Sequence, residues 1–302
     1  MLRFGIAGLF QGAVYGLLAV GIVLVYKGTR VFNFAQGEFG TVAAFVTFIL
    51  FNNLHVNYAL SAILALVFAV LLGLLVERVV IRPLLDVPRI TLLVATVGVA
   101  LLIIAVTLII NGANLRSLAP AITDPVDPRT HITKPFYIFG AGVTRQQILV
   151  LVALVGLAVA LGYFFSRTNT GLAILATSQD TTASKVVGIS VARTSQIIWG
   201  MAALLGGIAG ILQAGVTSSF TPGFMTTTTL IPAFTAAVVG GMTSLPGAFL
   251  GGIAVGVVEA VFGTYFLGQK VGVPGNGTSL AIFLLLLLVL LVRPTGLLGK
   301  EA

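Results

Sequence analysis

The chain alternates long apolar runs with short polar interruptions, and the runs set the expected elements. About 20 apolar residues suffice for a helix to cross the hydrocarbon core of a bilayer. On that measure helices are predicted at about 4–26, 32–52, 57–80, 90–111, 145–166, 193–215, 226–240, 246–266 and 278–293, with ends good to a few residues. The runs are too long and too evenly apolar for barrel strands, and a backbone in lipid must satisfy its own hydrogen bonds. The expected fold class is therefore an all-α integral membrane protein with eight or nine transmembrane helices, forming a single transmembrane domain over 1–302. The count turns on TTTTLIPAFTAAVVG, residues 226–240. This run is short, threonine-rich and carries Pro232, so it reads as a broken or re-entrant element.

The polar interruptions carry the candidate chemistry. In VFNFAQGEFG, Val31 to Gly40, Asn33, Gln36 and Glu38 stand beside Gly37 inside a span. A carboxylate at such a depth costs about 2.5–3.5 kcal/mol, so it calls for a function or a buried architectural role. Gly37 and Gly40 would let other backbone approach it. Glu259, in GVVEAVFG, lies well inside its own span, whereas Glu77 sits near a span end, where Arg78 and Arg82 can pair with it.

A second interruption is AVVGGMTSLPGAFLGGIAVG, Ala237 to Gly256. Gly240, Gly241, Gly247, Gly251 and Gly252 each disfavour a plain helix by about 1 kcal/mol against alanine, and Pro246 forces a break. Close helix packing accounts for Gly251, Gly252 and Gly256, while Gly240 to Pro246 reads as a tight turn at a helix junction. Glycine-interrupted apolar segments in both halves of a transporter point to its pathway. The candidate pathway residues are thus Asn33, Gln36 and Glu38 with Thr235, Thr243 and Ser244; Gly37, Gly240, Gly241, Pro246 and Gly247 are the candidate hinges.

Two long connections differ in character. Residues 112–144 hold Pro120, Pro125, Pro128 and Pro135 with Asp124 and Asp127, and are expected to be extended. The connection 167–192 has no proline from Gly171 to Val187, and Leu172, Leu175 and Ala176 recur at helical spacing. It predicts a short helix lying outside the bilayer. Basic residues orient the chain. Lys27, Arg30, Arg78, Arg82, Arg89, Arg167, Lys185, Arg193, Arg293 and Lys300 would share one side, against Arg3, Arg116, Arg129, Lys134, Arg145 and Lys270 on the other. The richer side is expected to be cytoplasmic, with the N-terminus outside and the C-terminus inside.

Composition narrows the function. The chain is 58% hydrophobic and 8% charged, with a mean hydropathy of +1.13, far from the roughly 25% charged residues of soluble domains. The net charge of +8 is scattered singly at the ends of apolar runs, a topology signal rather than a nucleic-acid patch. Without cysteine there is no disulfide, thiolate catalysis or cysteine metal site. His55 and His131 are far apart, and HExxH, GxSxG and paired intramembrane aspartates do not occur, so a membrane protease or lipid hydrolase lacks its parts. A P-loop is also missing, so any use of ATP belongs to a partner. The opening MLRFGIAGLFQGAVYG reads as a retained first helix rather than a signal peptide.

Several stretches in order, GLFQGAVYGLLAVGIVLVYKGTRVFNFAQGEFG, ERVVIRPL, GLAILATSQDTTASKVVGI, AFTAAVVGGMTSLPGAFLGGI and LLVLLVRPTGLLG, together resemble the permease subunits of bacterial branched-chain amino acid ABC transporters. The resemblance implies the ABC importer permease fold in the inner membrane. It also implies a second related permease forming a heterodimer, two cytoplasmic ATPases that bind ATP and magnesium, an external substrate-binding protein, and a cargo of branched-chain or related small amino acids. Its coupling helix would fall at Gly171 to Ile189, with Asp180, Ala183 and Gly188 at recognisable positions and Leu172 and Leu175 where the family commonly carries arginine. The family's usual NFAHGE reads NFAQGE here, with Gln36 in place of histidine. Fewer charges in the coupling helix imply docking by apolar burial. Urea, short amides and aromatic acids are alternative cargoes. The competing class is an ion-coupled carrier or channel that uses Glu38 and Glu259 as proton or cation sites.

Overall fold

The computed structural model describes residues 1–84, 87–125, 135–273, 277–293 and 295–299. Its first helix, α1 (Leu2–Thr29), is apolar on every side and forms the centre of the molecule, with 89% of its apolar window buried. A helix apolar all round belongs in a core. α2 (Gln36–Phe48) ends in a π-helical turn, Ile49–Asn53, and α3 (Tyr58–Val76) runs on through wider and tighter turns to Leu84. α4 (Arg89–Asn111) and α5 (Arg145–Arg167) follow, joined in part by a hairpin of β1 (Phe136–Ile138) and β2 (Ala141–Val143). Two short helices, α6 (Asn169–Gln179) and α7 (Thr181–Val186), lead into α8 (Val191–Thr217). α9 begins as π-helical turns at Met225–Leu230 and continues as Ile231–Gly240. α10 (Leu245–Val258) extends as a π-helix through Glu259–Val271, and α11 is Gly277–Val292.

Among the described residues six helices are long and apolar enough to span a membrane, and α9 and α11 are shorter apolar helices. With α2, these make up the expected set of nine segments. α1 and α8 are the buried pair, whereas 22% of the apolar window of α5 and 28% of those of α3 and α4 are covered. The uncovered faces carry Leu71, Leu101 and Val152, the surface that lipid tails solvate.

Small residues bring the central helices together. Gly8 and Gly12 of α1 lie backbone to backbone against Gly256 and Gly252 of α10, and Gly40 of α2 packs the same way on Gly206 and Gly210 of α8. A Cβ at these glycines would fall on neighbouring main chain. In lipid, where apolar burial gives helices little reason to associate, such close packing is what holds them.

The structure corrects three expectations. α2 starts at Gln36 rather than near residue 32, because Arg30 ends α1 in the left-handed conformation and the next residues form no helix. Residues 226–240 are not broken at Pro232: the helix runs continuously through it, passing from π-helical turns to α-helix at Ile231. The single helix expected from Gly171 to Ile189 is two helices. Asp180 is extended at their junction, and its carboxylate accepts from the Thr182 and Ala183 N–H groups to start α7. The 112–144 connection has no helix among its described residues and carries a hairpin turning at Phe139 and Gly140, both with positive φ, in keeping with the extended chain expected there; Asp127, Pro128, Arg129, His131 and Lys134 lie outside the described residues, as does Lys300.

Candidate functional site

The site begins where α1 gives way to α2. After Arg30 the chain doubles back along α1: the Phe32 ring stacks on Tyr26 at 4.8 Å, and Gln36 reaches Gly21. This return segment is non-helical, and Val31, Asn33 and Ala35 within it are buried, so its polar groups need partners. Asn33 supplies them. Its Oδ1 accepts from the Ala35 N–H at 3.0 Å and its Nδ2 donates to Gln36 Oε1 at 3.0 Å, while Gln36 Nε2 donates to the Ala202 carbonyl of α8 at 2.8 Å. Thr96 of α4 closes the other edge, donating to Phe32 O and accepting from the Phe34 N–H. Asn33 and Gln36 therefore hold the break in shape and face no open space.

A second break mirrors the first. α8 ends at Thr217 with Ser218 left-handed, Phe220 pairs with Arg116 at the hairpin end, and helix resumes only at Met225. The start of α9 therefore lies deep in the bundle, where Gly37 packs directly on Met225 and Thr226. Gln36 touches α1 at Gly21 and α8 at Ala202 and Gly206, which places the meeting of the two half-length helices inside the bundle, between the ends of both long helices. Glu38 is at this meeting. Its side chain is 0% exposed, with the Thr41 and Thr226 hydroxyls and the Thr226 N–H beside it but outside hydrogen-bonding geometry. Two helix N-termini converge there, and their partial positive charge favours a carboxylate.

One residue further along α9 the surface opens. A cavity of about 240 Å³ lies between α9, the π-helical part of α10, and α11. Its polar lining is Thr227, Thr228, Thr235, Thr278, Ser279 and Glu259, and its apolar lining includes Ile231, Ile282, Phe283 and Leu286. Glu259 is held from behind by Tyr15 in the middle of α1, whose hydroxyl donates to Oε2 at 2.6 Å. Thr227, Thr228 and Ser279 are exposed. Polar side chains exposed between the ends of spanning helices face a protein partner or water rather than lipid.

The structure thus divides the predicted residues. Thr235 is brought to the Glu259 cavity, with its hydroxyl donating to the Ile231 carbonyl. Thr243 and Ser244 lie at the other end of α9, in the turn to α10, where Ser244 Oγ accepts from the Gly247 N–H. Gly240 and Gly247 pack backbone to backbone there, Gly241 adopts φ 105°, and Pro246 sits in the first turn of α10. The C-terminal segment caps this junction: Leu297 and Leu298 donate their N–H groups to Val239 O and Gly240 O. Sequence reasoning missed Thr227, Thr228, Thr278 and Ser279 as parts of one cavity, and Tyr15 as the partner of its carboxylate. The four consecutive threonines at 226–229 were the available signal.

At the end opposite the hairpin, a cleft of about 690 Å³ is lined by Lys27, Arg30, Arg82, Arg89 and Lys185 together with residues of α6 and α7. Arg82 is fixed by Glu77, with Nη2 donating to Oε2 at 2.9 Å, and also reaches the Ala192 carbonyl at the start of α8. Gly171 of α6 is buried against the Phe164 carbonyl, Leu175 is half-buried, and Leu172, Asp180, Ala183 and Gly188 face outward. Val186 and Val187 are 83% and 74% exposed at the tip. These two valines form an apolar tip above the cationic cleft.

A family profile described as branched-chain amino acid transport system, permease component, matches residues 5–292. The chain belongs to this family. It is 29% identical to the high-affinity branched-chain amino acid transport system permease protein LivH of Salmonella typhimurium, over 97% of this chain and 94% of that one. Identity is also 29%, with the same coverage, to the corresponding permease protein BraD of Pseudomonas aeruginosa, and 28% to a probable LivH of Methanocaldococcus jannaschii, over 94% of this chain and 88% of the relative. Among solved structures, PsaBC from Streptococcus pneumoniae in complex with Fab aligns with a TM-score of 0.51 at 15% identity, over 97% of this chain and 92% of that one. That likeness shows the fold. As a member of the permease family, the chain is a multi-pass membrane protein of an ABC import system.

Proposed function

We propose that this permease passes branched-chain or related small aliphatic amino acids, with the threonine-bearing face of α9 as its share of the route. The observation that carries this reading is the exposure of Thr227, Thr228 and Ser279 between the ends of the spanning helices, beside the half-buried carboxylate of Glu259. A second, related permease would cover that face, so that the route runs between the two subunits and the whole chain forms one transmembrane domain. Asn33, Gln36 and Glu38 stand behind the route and set the position of the half-helix that carries it, while the Gly240–Gly247 junction is the hinge at its far end.

The cationic end is the cytoplasmic one in this reading, with the N-terminus of α1 and the hairpin outside. Two ATPases dock on α6 and α7 and bind the ATP and magnesium, and this chain performs no chemistry itself. An external binding protein delivers the cargo. Leu172, Val186 and Val187 supply apolar contacts where charged ones are scarce. Reconstitution tests the assignment. Leucine uptake should require the second permease, the ATPases, ATP and the binding protein; uptake by this chain alone on an ion gradient would contradict it.

A further inference from the structure

Resting on the proposed function, we infer that the Glu259 cavity is a transit subsite for the α-ammonium group of an aliphatic amino acid, with Glu259 as the acceptor and Tyr15 as its positioning residue. The cavity's lining is divided in the same way as such a molecule. Glu259 is its one ionisable lining group. Thr278 and Ser279 offer hydroxyls that can donate to a carboxylate, and Ile231, Ile282, Phe283 and Leu286 offer an aliphatic wall. About 240 Å³ is below the roughly 300–1,000 Å³ of drug-sized sites, a size for one small molecule.

Geometry favours a cation at Glu259. The Tyr15 hydroxyl occupies Oε2 from the α1 side. No described cation pairs with this carboxylate. An intramembrane carboxylate is usually paired, and an ammonium passing through the cavity is the partner its place on the open face allows. Two of the cavity's three walls depart from regular helix, through the π-helical turns at Met225–Leu230 and the π-helical run starting at Glu259 itself. Such turns are rare and concentrate at functional sites. The contacts are few and split between two faces, so they can select a zwitterion without trapping it, as a route requires.

The chain has no cysteine, so single cysteines can report on the cavity. In the assembled, reconstituted transporter, Ser279→Cys should react about tenfold faster with a cationic than with a size-matched anionic methanethiosulfonate, because the carboxylate concentrates cations. Glu259→Gln should abolish that preference, Glu259→Asp should keep most of it, and Tyr15→Phe should weaken it. Glu259→Gln should also lower leucine uptake about tenfold, the loss of one charge-assisted contact, while ATP hydrolysis stimulated by the binding protein persists. Equal reaction with both reagents in the parent protein, or unchanged uptake in Glu259→Gln, overturns the subsite and leaves the permease assignment standing. Absence of ATP-driven leucine uptake in the parent complex overturns the permease assignment instead.

Discussion

The Glu38 carboxylate lies beside the Thr226 hydroxyl, at the point where the N-termini of two half-length helices from opposite halves of the chain meet. α2 rises from that point toward the hairpin end and α9 descends from it toward the α6 and α7 end. Each is preceded by a non-helical segment that enters the bundle. A motion that shifts one half-helix against the other therefore has to pass through this contact.

Replacing Glu38 by alanine should accordingly cost about 1–3 kcal/mol, because it leaves buried hydroxyls and helix N-termini without the group they surround. Unfolding in detergent, followed through the fluorescence of the single tryptophan, Trp199, reads the loss. Glu38→Gln keeps the shape and should assemble normally while slowing uptake.

Glycine replacements should divide sharply by neighbour. Gly252→Ala and Gly210→Ala would drive a methyl into the main chain of α1 and α2 and should destabilise by about 1–3 kcal/mol or more. Gly156→Ala, on the lipid side of α5 with open space around it, should instead stabilise by about 1 kcal/mol. Thermal unfolding of the three variants side by side checks both signs.

Arg82→Ala should be more harmful than removing the whole pair. Glu77 is fully buried, so losing Arg82 strands its charge at a cost of about 3–5 kcal/mol. Glu77→Gln with Arg82→Met should recover most of the stability in the same measurement, although the link from Arg82 to Ala192 is gone.

Docking on the coupling helices can be tested without touching the bundle. Val187→Asp places a charge on the apolar tip and should reduce ATPase co-purification while leaving the unfolding temperature unchanged. Asp180→Ala removes the cap of α7, worth about 1 kcal/mol locally, and should weaken the same association to a lesser degree.

Much of this arrangement is readable in the chain itself, for physical reasons. Long apolar runs have one solution in lipid, so the spans, the glycine seams at Gly252 and Gly256, and the Glu77 to Arg82 pairing follow from composition and spacing. The polar stretch at Asn33 to Glu38 marks a real break for the same reason. The cavity was hidden because its lining comes from three helices and its carboxylate is held by a fourth. Tyr15 and Glu259 are 244 positions apart, and a tyrosine inside an apolar helix carries no sign of its partner. The split at Asp180 was hidden as well, since a helical repeat continues across a residue whose side chain caps the next helix.

The central claim, that the threonine face of α9 lines the amino acid route, is tested most directly by single-cysteine block of transport. In the reconstituted complex, Thr228→Cys should lose ATP-driven leucine uptake when a bulky water-soluble methanethiosulfonate reacts with it, and leucine turnover should change the rate of that reaction. Leu101→Cys, on the lipid face of α4, should keep its uptake under the same treatment. Full uptake by Thr228→Cys after complete modification, or reaction of that cysteine only with lipid-soluble reagents, would contradict the account.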